Sequence, residues 1–340
     1  MAYILFPLML TCLASLSFLT IKGTVTPTLG LLIYPFVMVV LPLIDMIIRP
    51  LNAPSDKLKT NLLHEIALAL ILPMVAGLIF ACLWRLGMGG FNVSDAIIMG
   101  LAVGMASGAI GMTAAHEMIH RASKFWRAAG IGILICVQYG HFRIEHIYGH
   151  HIHVGTSKDP ATARKGEGFY RFFMRVLWGS YVSAWQIEAR RLKNRKKPLF
   201  GLENRCLHYL ALQTALIIAA FVIAGDLGLI MLGTQTLIAL ILTEAVDYIQ
   251  HYGLMRKIDE HGRPEAVHHH HSWNSRHAAG DWTTFNIGLH SHHHSSARTP
   301  YAELSQNSEH HEMPANYAVM IAMALVPPLW FRIMDKRLSG

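Results

Sequence analysis

The apolar residues of this chain come in long blocks rather than in alternation or on a narrow helical stripe. About 20 consecutive apolar residues carry a helix across a bilayer. Six blocks reach or approach that length, at 3–22, 28–48, 62–85, 95–115, 207–225 and 228–249. Gly and Pro punctuate them, as in "KGTVTP" and "RPLNAPSDK", and these residues most readily end a helix. The pattern predicts an all-α, polytopic membrane protein with about six transmembrane helices, built as a single integral-membrane domain over 1–340. Two shorter runs, "AAGIGILICVQYG" (128–140) and "NYAVMIAMALVPPLWF" (316–331), are too brief or too interrupted to cross, the second by Pro327 and Pro328. They read as re-entrant or interfacial segments. The first block lacks a basic lead-in and a small-residue cleavage site, so it reads as a retained helix, not a signal peptide.

Charge adds orientation to this picture. Only 15% of the 340 residues are charged, against about a quarter in ordinary soluble domains. The formal net charge of +8 sits in loops beside helix ends: Arg49, Lys57 and Lys59, then Arg190, Arg191, Lys193, Arg195, Lys196 and Lys197. Loops rich in Lys and Arg stay on the cytoplasmic side. Six spans would put both loops, both termini and the segments 116–206 and 250–340 on that side. Without aromatic residues interleaved for base stacking, the basic residues indicate membrane lipids as partners and no nucleic acid. The four cysteines are scattered and form no CxxC, which excludes a disulfide framework and a thiolate metal site.

The anomaly is 22 histidines. His116 and His120 stand four apart, so both imidazoles lie on one helical face. His146 is followed by His150 and His151, and His290 by His293 and His294. His251 stands alone just after the last long block, in "DYIQHYGL". One such pair is often a surface feature, but all four groups fall at one expected membrane face. Imidazole sets of this kind suit iron, copper, nickel or zinc, whereas calcium and magnesium prefer oxygen. Nine exceed the four ligands that complete a tetrahedral zinc site, so two metals are the economical assignment. Missing thiolates argue against an iron–sulfur centre, and an O₂-activating site with these ligands is most naturally di-iron.

Ligating imidazoles usually donate their second N–H to a carboxylate or carbonyl. Glu117, Glu145 and Asp159 are the expected acceptors beside the ligands. Asp247 and Glu244 fall inside a span, where carboxylates are costly and therefore suspicious. His271 is a further supporting candidate. His153, His292 and His268 to His270 read as spectators, and His64 and His141 as interfacial residues. Arg190 to Lys197 are suited equally to an acidic electron-transfer protein and to anionic headgroups.

HX₃H, HX₃HH and HX₂HH on a multi-span chain resemble the integral-membrane desaturase–hydroxylase superfamily. "YGHFRIEHIYGHH", "DPATAR", "QHYGLMRKIDEHG", "HSWNS" and "PPLWFRIMD" are most similar to the alkane 1-monooxygenases and their xylene monooxygenase relatives. The resemblance implies O₂-dependent terminal hydroxylation of a hydrocarbon taken from the bilayer, at two non-haem Fe ions in a bacterial inner membrane. It also implies electrons from rubredoxin, itself served by rubredoxin reductase. Carried over, the ligands are His116, His120, His146, His150, His151, His251, His290, His293 and His294. Val37 and Met38, beside "PLID", are expected to line the substrate channel.

Four other readings remain. A fatty-acyl desaturase or a xylene-type methyl hydroxylase would use a similar ligand set. HExxH also occurs in zinc metalloproteases, which would leave six imidazoles without a role. A metal transporter predicts ionisable groups near the midplane of several spans, whereas these clusters gather at one face.

Overall fold

The computed structural model describes residues 2–18, 20–21, 24–48, 59–305 and 311–338. Arg49 and Lys57 of the basic 49–60 loop lie outside the described residues. The described chain is mainly helical, with almost no sheet. Its helices are α1 (Ala2–Ser15), α2 (Pro27–Ile47), α3 (Leu62–Gly87), α4 (Val93–His120), α5 (Lys124–Cys136), α6 (142–153), α7 (Phe169–Asn194) and α8 (Arg205–His251). Four shorter ones follow: α9 (Ala278–Thr283), α10 (His290–Ser295), α11 (Tyr317–Ala324) and α12 (Pro327–Arg337). Two minimal ladders complete the described structure: Thr20–Ile21 runs antiparallel to Thr24–Val25, and Trp273–Asn274 parallel to His311–Glu312.

Length and apolar composition qualify α2, α3, α4 and α8 as membrane spans, with a fifth if the bent pair α11–α12 counts as one. The expected count of six is therefore not confirmed, for two local reasons. The first apolar block makes a helix of only 14 residues, because Ser15 turns its hydroxyl back to the Cys12 carbonyl and the chain tightens into a 3₁₀ turn at Leu16–Phe18. The last two blocks belong to one 47-residue element broken at Gly225, where φ is 56° and ψ is −144°. Left-handed backbone of this kind is open to glycine and strained for other residues. Gly225 thus turns α8 into two arms.

Capping and packing fix the bundle. Asn61 accepts hydrogen bonds from the Leu63 and His64 amides, while His64 Nδ1 accepts from the Asn61 amide. Asn92 and Asp95 close a similar reciprocal box at the start of α4. The second arm of α8 then runs parallel to α4 on a stripe of small residues. A Cβ added at Gly100 would sit 2.7 Å from the Met231 carbonyl, and one at Gly108 would sit 2.8 Å from Leu242. Small residues four apart let helix backbones approach within a membrane. His120 and His251 therefore end their helices at the same end of the bundle.

Beyond that end, a second core caps the bundle. Phe169, Phe172, Tyr248, Tyr252, Trp273 and Trp330 pack together there, all buried. Trp273 donates its indole N–H to the Tyr252 carbonyl at 3.0 Å, and the Tyr252 hydroxyl reaches Asp335 at 2.7 Å. Pro327 and Pro328 break the last apolar run as expected, and α11 and α12 diverge by 118°. Asp45 ties α2 to this cap by accepting the Ala279 amide at 2.6 Å and the Asn316 side chain at 3.3 Å.

Candidate metal centre

The nine singled-out histidines come from four segments and assemble into two adjoining groups. His116, His120, His146, His151 and His293 form one, and His150, His251, His290 and His294 the other. Within each group the ligand nitrogens all lie within 4.8 Å of one another. In the first, Nε2 contacts link His120 to His146 (3.1 Å), His146 to His151 (3.1 Å) and His151 to His293 (3.2 Å). In the second they link His150 to His294 (3.2 Å), His294 to His290 (2.8 Å) and His290 to His251 (3.0 Å). The groups touch through His151 and His294, whose rings stack at 4.5 Å.

Residues of the middle box divide between the groups because consecutive helix positions point about 100° apart. The helix is also locally widened: residues His146–His150 form a π turn, as do Ser107–Gly111 just before the first box and Phe36–Val40 in α2. Such turns shift side-chain register and recur at functional sites. His150 consequently turns inward toward α8, while His151 stays with the first group.

These nitrogens fit metal ions better than they fit one another. A neutral imidazole has one N–H and one lone pair, so His146 Nε2, facing both His120 and His151, is poorly served by hydrogen bonds alone. The buried His116 Nε2 has no hydrogen-bond partner among the described residues. Metal–nitrogen bonds of about 2.1 Å place neighbouring ligand atoms roughly 3 Å apart, close to the spacings found. Burial, reinforced by neighbouring imidazoles, pushes His146, His151, His290, His293 and His294 well below the usual histidine range. They are therefore neutral at pH 7, the form that ligates.

The expected supporting acids take different places. Asp159 accepts from His150 Nδ1 at 2.9 Å, from the Thr162 hydroxyl at 2.6 Å and from the Ala161 amide at 3.0 Å. Burial raises its carboxyl, but His150 and these hydrogen bonds bring it below the ordinary value. Asp159 thereby holds the proton of His150 on Nδ1 and leaves Nε2 facing its group. Glu145 is buried beside it, and burial with the charge of Asp159 pushes its carboxyl well up. Its oxygen accepts from Ser183 at 3.3 Å, not from an imidazole. Glu117 accepts from Arg121 at 2.6 Å and from the Tyr301 amide at 3.2 Å, bracing the segment after the third box. His271 bonds Glu265 at 3.1 Å, outside both groups. Asp247 lies beside His116 and His290 on the wall of a small cavity.

That cavity, of ≈30 Å³, abuts the histidines. A larger, mostly apolar one of ≈80 Å³ adjoins it and is lined by Val37 and Met38, the two residues expected at the channel, together with Leu41 and Ile321. Gly108, Thr113 and Val246 line both cavities. An apolar path thus runs from α2 to the histidines through a neck of three residues.

Two positioning residues carried no role in the sequence reading. Asn274, inside "HSWNS", accepts from the Ser291 amide and donates to the Ser291 hydroxyl, both at 2.9 Å, and so fixes the start of α10. Arg256 donates to the carbonyls of Ile152 (3.0 Å) and Glu265 (2.6 Å), tying the chain after His251 to the end of the second box. Both lie within quoted motifs, but their partners are distant in sequence.

A two-group histidine centre capping apolar helices defines a membrane metalloprotein, and the comparisons specify its class. Residues 95–324 match the fatty acid desaturase family. An alkane 1-monooxygenase of Pseudomonas aeruginosa is 38% identical over 240 residues, covering 71% of this chain and 63% of that protein. One from Alcanivorax borkumensis is 30% identical over 315 residues, covering 90% and 82%. The hydroxylase component of xylene/toluene monooxygenase from Pseudomonas putida is 30% identical, covering 78% and 71%. The chain belongs to the fatty acid desaturase family, among its alkane 1-monooxygenase members. The aligned part of the chain spans only 59–64% of the length of that Pseudomonas aeruginosa protein, of a second alkane 1-monooxygenase of the same species and of one from Acinetobacter baylyi.

Proposed function

We propose that the protein is an alkane 1-monooxygenase that hydroxylates the terminal carbon of a hydrocarbon drawn from the bilayer. The nine histidines of the two groups would hold a pair of irons, which when bound supply the O₂ activation that breaks a C–H bond. The observation that carries this reading is the convergence of nine imidazoles at the inner end of an apolar path.

The chain's own residues position the substrate. Each methylene buried between Val37, Met38 and Leu41 contributes about 0.8 kcal/mol. The neck at Gly108, Thr113 and Val246, shared by the two cavities, would set how far the end of the chain reaches toward the histidines. A methyl group has no polar handle, so this confinement orients it. Asp159 holds the His150 proton on Nδ1, and the enclosing helices keep bulk water from the buried four-histidine group.

The reading treats 1–340 as one integral-membrane unit in a bacterial inner membrane, with its histidines on the cytoplasmic side. The basic run at Arg190–Lys197 supports that orientation through the positive-inside rule. Electrons would come from rubredoxin and its reductase, with the exposed Arg190, Lys193, Arg195 and Lys196 facing an acidic carrier. Purified membranes assayed with octane, hexadecane, xylene and a stearoyl thioester test the assignment. The expected result is a terminal alcohol and two irons per chain; a desaturated acyl product without alcohol overturns it.

A further inference from the structure

A basic cleft of ≈480 Å³ opens beside the five-histidine group. His120 and His151 form part of its wall, and Arg121, Arg127, Arg143 and Arg298 supply the charge. These arginines arrive from separate places: the end of α4, the start of α5, the start of α6 and the loop after α10. No acidic residue lines the cleft among the described residues.

Two of the four are already engaged. Arg121 pairs with Glu117 at 2.6 Å and Glu65 at 3.1 Å, although its buried Nη2 has no partner among the described residues. Arg127 donates to the Arg121 and Ala122 carbonyls. Arg143 is different. It is only 9% exposed, makes no salt bridge with a described acid, and leaves Nε and Nη1 buried without a hydrogen-bond partner. Its guanidinium lies 5.5 Å from the Tyr148 ring and hydrogen-bonds the Tyr148 side chain, contacts that bring no acid to offset the desolvated charge. Buried charges are ordinarily paired, because an uncompensated one is strongly destabilising. Arg298, exposed at the rim, has no ion-pair partner among the described acids either.

We propose that this cleft is an anion site for a phosphoryl group, supplied by free phosphate or by the headgroup of an anionic phospholipid. Guanidinium forks match phosphate oxygens, and a tetrahedral phosphoryl group can accept from several arginines at once, where a carboxylate has two oxygens. The cleft lies where α4 leaves the bundle, at the level expected of lipid headgroups. An occupant there would link the ends of α4 and α6 to the loop after α10, and so join three of the segments that carry histidines. The deep position of Arg143 favours a small group over the surface of a docked protein.

The test is thermal unfolding of the full chain in phosphatidylcholine nanodiscs, titrated with inorganic phosphate against chloride of equal ionic strength. The expected result is a saturable rise in melting temperature specific to phosphate, with affinity reduced at least fivefold in Arg143→Met. Arg298→Met, altered at the exposed rim, gives the same weakening should Arg143→Met not fold. Repeating the titration in phosphatidylglycerol nanodiscs separates the sources. Loss of the phosphate effect there assigns the site to the headgroup, and its persistence assigns it to free phosphate. Equal responses to phosphate and chloride, or an unchanged phosphate response in the folded variants, overturn the proposal. So does an acidic electron carrier that binds the cleft while phosphate does not.

Discussion

The two histidine groups differ in their access to solvent. His150, His251, His290 and His294 are all buried, and Asp159 braces His150 from behind. In the five-membered group, His120 and His151 are only partly buried and stand on the wall of the arginine-lined cleft. One group is sealed by α8, α10 and the cap, while the other has a polar approach. Both border the apolar path, through His290 and His116. The difference teaches that the centre is asymmetric: an apolar path meets it from inside the bundle, whereas a polar cleft opens onto one group only.

Removing a ligand from the sealed group has the largest expected effect. His290→Ala should abolish hydroxylation and lower the iron content from two toward one per chain, measured by elemental analysis beside product assays. Retention of both irons would end the asymmetric assignment. Next comes Asp159→Asn, which keeps the shape but removes the charge opposite His150 Nδ1. Loss of such a partner costs roughly 10–100-fold in metal affinity, and the loss should fall on the sealed group. A chelator challenge followed over time should therefore show one iron leaving early.

Val246→Trp leaves both groups alone and fills the neck. We expect about a tenfold fall in kcat/KM for long alkanes, near 1.4 kcal/mol, with normal iron content. Equal turnover of hexadecane by the variant and the parent would place the substrate path elsewhere.

The smallest effect on chemistry is expected from Glu188→Gln, a residue that belongs to neither group. Glu188 is buried and receives Arg191 at 2.6 Å and Arg205 at 2.6 Å. Burial pushes its carboxyl up, but the hydrogen bonds from these arginines outweigh that and bring it down to about 2. Because the folded value lies below the ordinary 4.5, the stabilisation is present above that pH and fades as pH falls toward 2. The variant should melt several degrees below the parent at pH 7, and the gap should narrow in acid. A gap independent of pH would show that the carboxylate charge is not what holds α7 to the start of α8.

The fold was legible where one physical signal dominates. Apolar blocks long enough to cross a bilayer marked the main helices, and Pro327–Pro328 marked the break near the end. The count of spans was less legible, because hydropathy is blind to backbone conformation. It does not reveal that the first block tightens at Leu16, or that Gly225 reverses the chain inside a continuous apolar stretch. The glycines at 100, 104 and 108 are spaced for close packing, yet only the opposing arm of α8 gives that spacing a partner.

Histidine spacing alone determined which imidazoles share a helical face and that there are too many for one ion. The same letters, read with the apolar blocks, put them at one end of the bundle. Only tertiary structure decided that His150 and His151, adjacent in sequence, serve different groups. It also decided that Asp159 meets an imidazole while Glu117 meets an arginine, and that Arg143 is left without an acid. The reason is range: helix periodicity fixes neighbours three or four residues apart, whereas contacts across 100 or more residues depend on how four segments close around a shared centre.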